Sequence, residues 1–201
     1  MSINKSNTIS LILLAAGESS RLGTPKQLLL YKDKYLLQHT LDLLHNLNMQ
    51  MFVVVGAFSE QILGKVDTYN AIVVQNKDWN KGLASSIRAG LEHVLKSNPD
   101  TEAVILLLCD QPLLTSNILL NILEKYKDTS FPIIHSNYGE VSGPPTLFHR
   151  SLFPYLMELE GAQGAKKVVD LFPDQVALVD FFYGTSDIDT PDDYQQLLNI
   201  P

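Results

Sequence analysis

Short apolar runs alternate along this chain with longer segments whose apolar residues recur at helical spacing. Residues 9–16 are continuously apolar except for Ser10, have strand length, and end in a glycine-containing loop. Residues 35–47 place Leu36, Leu37, Leu41, Leu44 and Leu47 on one helical stripe. Two further strands are predicted at 51–55, ended by Gly56, and at 71–75. A helix over 82–96 aligns Leu83, Ile87, Leu91, Val94 and Leu95. The most apolar strand, 103–108, stops at Cys109 and Asp110, and Thr115 is expected to cap a helix running to about residue 127. Beyond residue 130 the pattern is less regular: 131–135, 146–148 and 176–179 read as strands, and 151–158 and 165–171 as helices. The last helix has a strong start in Thr190, Pro191, Asp192 and Asp193, with a hydroxyl cap, proline in the first turn and acids near the positive dipole end.

Strands apolar on both faces and separated by helices imply a sheet covered on both sides. The expected architecture is therefore α/β: a doubly wound, mostly parallel, Rossmann-like sheet with helices on both faces and right-handed crossovers. No repeat or low-complexity linker divides the chain, so residues 1–201 read as one domain, with a regular half (about 8–130) and a less regular one (about 131–201).

The chain has 201 residues, with 15 basic and 22 acidic side chains and a net charge of −7. That length suffices for a core without metal or disulfide support, and a single cysteine fits a reducing compartment. The acidic balance argues against a nucleic-acid-binding face. The run 103–109 is about a third of a membrane span, and the opening Met1-Ser-Ile-Asn-Lys-Ser-Asn is too short and polar for a secretion signal. These features together point to a soluble cytoplasmic protein that binds neither nucleic acid nor membrane.

In such sheets ligands bind at the carboxyl ends of the strands, near the switch in strand order. The loop there runs from Leu14 through Ala15, Ala16, Gly17, Ser19, Ser20, Arg21 and Gly23 to Lys26 and Gln27. Its glycines permit close backbone approach, its amides can form an anion-binding concavity, Arg21 offers a planar fork and Lys26 a mobile point charge. It is not a P-loop, since five residues rather than four separate its glycines, and the dinucleotide pattern G-x-G-x-x-G is absent. Asp110, following the most apolar strand, is expected at the same sheet edge.

The motif Leu14-Ala-Ala-Gly-x-Ser19-x-Arg21-Leu-Gly-x-Pro25-Lys-Gln-Leu-Leu29 resembles the signature of nucleotidyltransferases that activate molybdenum cofactor, most closely the molybdenum cofactor cytidylyltransferases. The resemblance continues in order through Trp79-x-x-Gly82-x-x-x-Ser86, Cys109-Asp-Gln-Pro112, Gly143-x-Pro145-x-x-Phe148, Gly161-x-x-Gly164-Ala-Lys166 and Asp187-Ile-Asp-Thr-Pro-x-Asp193. It implies a fold of the nucleotide-diphospho-sugar transferase type, with the first half binding nucleotide and the second the acceptor. The implied reaction transfers CMP from CTP to the phosphate of molybdopterin, using Mg²⁺ and releasing pyrophosphate. Arg21, Lys26 and Asp110 are then the catalytic candidates. Leu14, Ala15, Ala16, Gly17, Ser19, Arg21, Gly23, Lys26, Gly82 and Ser86 are expected at the nucleotide, and Gly143, Pro145, Gly164 and Lys166 at the acceptor. Asp110 and a downstream acid are implied as metal ligands; Asp189 is preferred to Asp187 because it directly precedes the Thr190 cap.

An ionised phosphate is already a nucleophile, so no Ser-His-Asp or Cys-His arrangement is needed, and positioning with charge stabilisation must supply the catalysis. Ala15-Ala16-Gly17 resembles the cytidine-using branch; the guanylyl branch more often has alanine-glycine-glycine there. Pro144 stands where the resembling enzymes often have His or Asn, and Lys166 where they have Arg, departures that bear on the acceptor. A guanylyltransferase, a sugar- or polyol-phosphate nucleotidyltransferase, and a non-catalytic nucleotide-binding protein delivering cofactor to a molybdoenzyme or chaperone partner remain alternatives. Cys109 reads as packing, Asp192 and Asp193 as dipole partners, and His39, His45 and His93 as structural helix residues. His135 and His149 lie near the acceptor loops without pairing as ligands, and Trp79 either borders the nucleotide or covers the core.

Overall fold

The computed structural model describes residues 8–185 and 187–199; the opening segment read above for secretion signals lies outside them. In chain order the elements are β1 (Ile9–Ala15), a two-stranded hairpin of β2 (Leu30–Tyr31) and β3 (Lys34–Tyr35), α1 (Leu36–His45), β4 (Gln50–Val55), α2 (Ser59–Leu63), β5 (Ile72–Gln75), α3 (Leu83–Ser97) and β6 (Ala103–Leu108). They continue with α4 (Ser116–Asp128), β7 (Ile133–Asn137), β8 (Ser142–His149), α5 (Phe153–Met157), α6 (Lys166–Leu171), β9 (Val176–Asp180) and α7 (Pro191–Leu198).

Seven strands form one sheet in the order β5-β4-β1-β6-β8-β7-β9. β8 runs antiparallel to both of its neighbours, while the β5-β4-β1-β6 and β7-β9 pairings are parallel. The chain leaves β1 for β4 on one side and later enters β6 on the other, so the strand order switches at the β1/β6 boundary.

Side-chain alternation explains why these strands read as apolar throughout. Leu11, Leu13, Val53, Val55, Ile105 and Leu107 point to one face, against Leu37, Leu41 and Leu44 of α1 and Leu119 and Ile122 of α4. Ile12, Leu14, Phe52, Val54, Val104 and Leu106 point to the other, against Ile87, Leu91 and Val94 of α3, Leu156 of α5 and Val168 of α6. A separate small core joins Tyr31 of the hairpin and Leu36 to Ile188 and Leu197 at the C-terminal helix. Tyr194 fastens the same junction by donating its hydroxyl to the Leu30 carbonyl at 2.7 Å.

Several local expectations need correction. Residues 151–158 do not form one helix: a 3₁₀ turn over Arg150–Leu152 precedes a short α5, because Pro154 has no amide to donate and its ring favours a helix's first turn. The hairpin and α2 carry no long apolar period and were not anticipated. Thr115 occupies the N-cap position of α4, but its side chain makes no cap bond. Thr190 does cap α7, in a reciprocal box with Asp193. Among the described residues, no helix is long and apolar enough to cross a membrane.

Candidate active site

The ends of β1 and β6 lie side by side: Leu14 is in register with Leu108, and the Cys109 amide donates to the Leu14 carbonyl at 3.3 Å. A cavity of about 400 Å³ opens over this edge. It is lined by Leu14 to Glu18 with Lys26 and Gln27, by Trp79, Asn80, Gly82, Leu83 and Ser86 at the entry to α3, and by Leu108 to Asp110. Leu14, Ala15, Ala16, Gly17, Lys26, Gly82, Ser86 and Asp110, from distant stretches of sequence, therefore meet in one crevice.

Buried Gln27 pins the loop by donating Nε2 to the carbonyls of Ala15 (2.9 Å) and Gly17 (3.0 Å). Ser19, with φ of 54°, accepts the Lys26 amide on its hydroxyl at 3.0 Å. Ser19 and Gly23 (φ 67°) thus shape the loop and are not among the cavity's lining residues. Gly82 is required sterically: its φ is 97°, and a Cβ there would lie 2.3 Å from the Gly161 carbonyl oxygen. Trp79 does both things considered for it, lining the crevice while packing on the core.

Four charges meet at the rim. The Lys26 ammonium is 2.5 Å from Asp110 Oδ2 and 2.9 Å from Asp189 Oδ1, and Arg21 is 2.7 Å from Asp189 Oδ2. Burial works against the charged Lys26, but Asp110 beside it prevails and holds its pKa above the ordinary lysine value. The hydrogen bond from Lys26 leads in holding Asp189 below the usual carboxylate range. Asp189, distant from Lys26 in sequence, is delivered by Ile188, buried in the small core, and by the Asp193 carboxylate accepting the Asp189 amide at 3.1 Å.

Sequence reasoning passed over the support behind this cluster. Gln111 donates to the Tyr138 hydroxyl at 2.8 Å and to the Gly184 carbonyl at 3.2 Å, and Tyr138 donates to the Pro144 carbonyl. Asp187 stands exposed at the rim, yet protein crowding on one side and then the Asp110 charge push its carboxyl up to about 7. The buried Cys109 thiol is pushed up to about 12, by burial first and Asp110 second, which fits packing and not nucleophilic chemistry.

Two carboxylates suit Mg²⁺, which completes its shell with phosphate oxygens and water. Asp110 Oδ1 is buried without a partner, so the donor set offers an oxygen ready for a cation. Among the described residues no three His, Cys, Asp or Glu side chains converge as a fuller cage.

A smaller cavity of about 110 Å³ adjoins the crevice, sharing Leu14, Leu83 and Leu108 with it. Gly164 and Lys166 line it, but Gly143 and Pro145 do not; Pro144, Thr146 and His135 do. Gly143 instead abuts the Tyr138 ring, where a Cβ would come 2.6 Å from the hydroxyl. A third cavity, of about 330 Å³, lies beside Ile9, Glu102 and His149, away from all these groups.

Burial, with Lys166 second and Asp170 opposing, lowers the His135 pKa from 6.5 to about 4. Between those values the unfolded chain binds a proton that the folded one refuses, so stability is lost as pH falls from 6.5 toward 4. We expect about 3 kcal/mol of acid-induced loss from this residue. Urea midpoints at several pH values check it: His135→Gln should flatten the limb, and an unchanged limb would contradict this assignment.

The sequence profile described as the MobA-like NTP transferase domain matches residues 11–177. Among curated relatives, purine catabolism protein PucB of Bacillus subtilis (strain 168) is 27% identical, over 92% of this chain and 94% of that one. Nicotine blue oxidoreductase of Paenarthrobacter nicotinovorans is 26% identical over 93% and 95%, and the molybdenum cofactor cytidylyltransferase of Escherichia coli (strain K12) 23% over 94% of each. The crystal structure of Rv0371c from Mycobacterium tuberculosis H37Rv superposes with a TM-score of 0.84 at 31% identity, over 97% of this chain and 100% of that one. A structure of Rv0371c in complex with manganese matches over the same shares at 28% identity and a TM-score of 0.77.

Proposed function

This chain belongs to the MobA-like NTP transferase family, a family of nucleotidyltransferases, and we propose that it transfers CMP from CTP to the phosphate of a molybdopterin-type acceptor, with Mg²⁺ and release of pyrophosphate. The observation that carries the reading is the Lys26 ammonium held between Asp110 and Asp189 at the mouth of the Ala15–Gly17 crevice. Likeness to the E. coli cytidylyltransferase along nearly the whole of both chains supports a molybdopterin-type acceptor, and the choice of base follows the resemblance of Ala15-Ala16-Gly17 to the cytidine-using branch.

In this reading an acceptor phosphate oxygen attacks the α-phosphorus in line; a new O–P bond forms as the bond to the β-phosphate's bridging oxygen breaks. Lys26 has three N–H donors, of which the carboxylates use two, leaving one for a phosphate oxygen. Arg21 is exposed at the rim, with most of its five donors open to the outgoing pyrophosphate. A divalent cation held by Asp110 and Asp189 would neutralise charge on the α-phosphate. Gln27 and Gly82 preserve the loop geometry, and Ala15 and Ala16 leave room for the base edge. Residues 8–130 serve mainly the nucleotide, and 131–201 the acceptor, with Asp189 returning to the nucleotide side. A molybdoenzyme or its chaperone would receive the product.

The test incubates the protein with molybdopterin, Mg²⁺ and each of CTP, GTP, ATP and UTP, measuring pyrophosphate. CTP should be selectively consumed. Preference for GTP would move the base assignment, and release with sugar phosphates alone would move the acceptor. No release with any triphosphate or acceptor would overturn the reading.

A further inference from the structure

Asn76, the residue after β5, is 4% exposed and has no part in the reaction described above. Its backbone amide extends the sheet by donating to the Val55 carbonyl at 2.8 Å. Its side chain binds the segment that walls the nucleotide crevice. Oδ1 accepts the Asp78 amide at 2.9 Å. Nδ2 donates to two hydroxyls on the first turn of α3, Ser85 Oγ at 2.9 Å and Ser86 Oγ at 3.0 Å. A backbone N–H can only donate, so the Asp78 amide fixes which end of the carboxamide is oxygen and which is nitrogen. Both side-chain N–H protons are then used on the serines, and both serine oxygens act as acceptors.

The two hydroxyls differ in where their own protons go. Ser85 has the carbonyls of Gly82 at 2.7 Å and Asp78 at 2.9 Å in reach of its single proton, which closes the turn carrying Trp79, Asn80 and Gly82. Ser86 Oγ meets no acceptor among the described residues. Its proton cannot point back at Nδ2, which donates and offers no lone pair. Ser86 lines the crevice together with Trp79, Asn80, Gly82 and Leu83. One buried carboxamide therefore joins both ends of the segment forming this wall and leaves a hydroxyl proton uncommitted on it.

We propose that Asn76 is a positioning residue for the nucleotide: it holds residues 78–86 as the crevice wall and turns the Ser86 hydroxyl proton toward an acceptor atom of the bound nucleoside. The inference rests on the reading of this crevice as the triphosphate site. A donor oriented before the ligand arrives need not be ordered on binding, so its contribution appears as affinity.

Asn76→Asp keeps the size of the side chain and an acceptor for the Asp78 amide, but it presents only oxygens to the serines. The Ser86 proton is then drawn to the new carboxylate and away from the crevice. Trp79, the only tryptophan of the chain, lines the crevice, so its emission reports occupancy without turnover. CTP is titrated against the native protein, Asn76→Asp, Ser86→Ala and the double variant. Each single substitution should raise the CTP Kd about three- to tenfold, the loss of one neutral hydrogen bond. The double variant should bind no more weakly than the weaker single one, because both delete the same bond. An added charge or a loosened wall would act whether or not the Ser86 hydroxyl is present, so additive losses would overturn the proposal. A native Kd in Asn76→Asp would overturn it as well. Ser86→Ala keeps the test decisive should Asn76→Asp fail to fold: a raised Kd supports the proposal and a native one sinks it. In turnover the loss should appear in the CTP KM and leave the acceptor KM unchanged. If CTP binds with this pattern and no pyrophosphate is released, the transferase reading fails and the role of Asn76 stands. If none of CTP, GTP, ATP and UTP alters Trp79 emission or the melting temperature, both fail.

Discussion

Asp110→Asn is expected to reduce pyrophosphate release by about 10²–10³-fold, while the protein still melts cooperatively and still gains stability from CTP. The substitution conserves shape and removes charge. In the native chain Asp110 Oδ2 is bound to Lys26 while Oδ1 is buried and unpartnered, so the carboxylate both orients the ammonium and presents an anionic oxygen to the crevice. An amide in its place can still accept from Lys26, and Asp189 continues to compensate the ammonium, so the fold should persist. What is lost is the charge that would hold a divalent cation against the α-phosphate. The additional melting shift that Mg²⁺ confers on the CTP-bound protein should therefore disappear in step with the rate. A variant with the native rate and the native Mg²⁺ increment would remove Asp110 from the chemistry.

Lys26→Met should have two separable consequences. Turnover should fall by about two orders of magnitude, since one phosphate-directed cation is lost at the reacting centre. Stability of the metal-free protein should fall by about 3 kcal/mol, because Asp110, with a side chain only 12% exposed, is left without its counter-charge. The second effect depends on the pair. In the double variant Lys26→Met/Asp110→Asn most of the stability should return, whereas the rate should not. Strict additivity of the two stability losses would contradict a coupled pair. The Lys26 pKa is raised in the fold, so its contribution is present throughout the neutral range and below the ordinary lysine value of 10.5, and is lost as pH climbs through the folded-state value. Divalent cation should stabilise Lys26→Met more than the native protein, because no ammonium then occupies the space between the two carboxylates.

Much of this site could be read along the chain. The loop from Leu14 to Gln27 announces itself because a buried strand ends in glycines, hydroxyls and two cations within a few residues. Asp110 is marked in the same way by the strand it terminates. The roles inside that loop were less legible. Ser19, expected at the nucleotide, accepts the Lys26 amide, while Gln27, which carried no candidate role, holds two loop carbonyls. A hydroxyl or amide side chain serves ligand or backbone equally well, and only its neighbours in space decide which. The acceptor candidates divided for a similar reason. Gly164 and Lys166 reach the small cavity, whereas Gly143 is turned against Tyr138, an outcome of strand register that spacing does not encode.

By itself the sequence determined the layered α/β architecture, because strands buried on both faces must be apolar throughout and helices covering them must repeat every three to four residues. It also pointed to the carboxyl ends of β1 and β6, where the candidate residues of the two strand-end loops meet. The tertiary structure alone decided how the excess of acids is used there. Asp189 lies 163 positions from Lys26, and no local pattern links them; the packing of Ile188 against Tyr31 and Leu36 closes that distance. Local periodicity reports which face of an element is buried. Which charges then meet depends on long-range packing, and here it places one ammonium between two carboxylates.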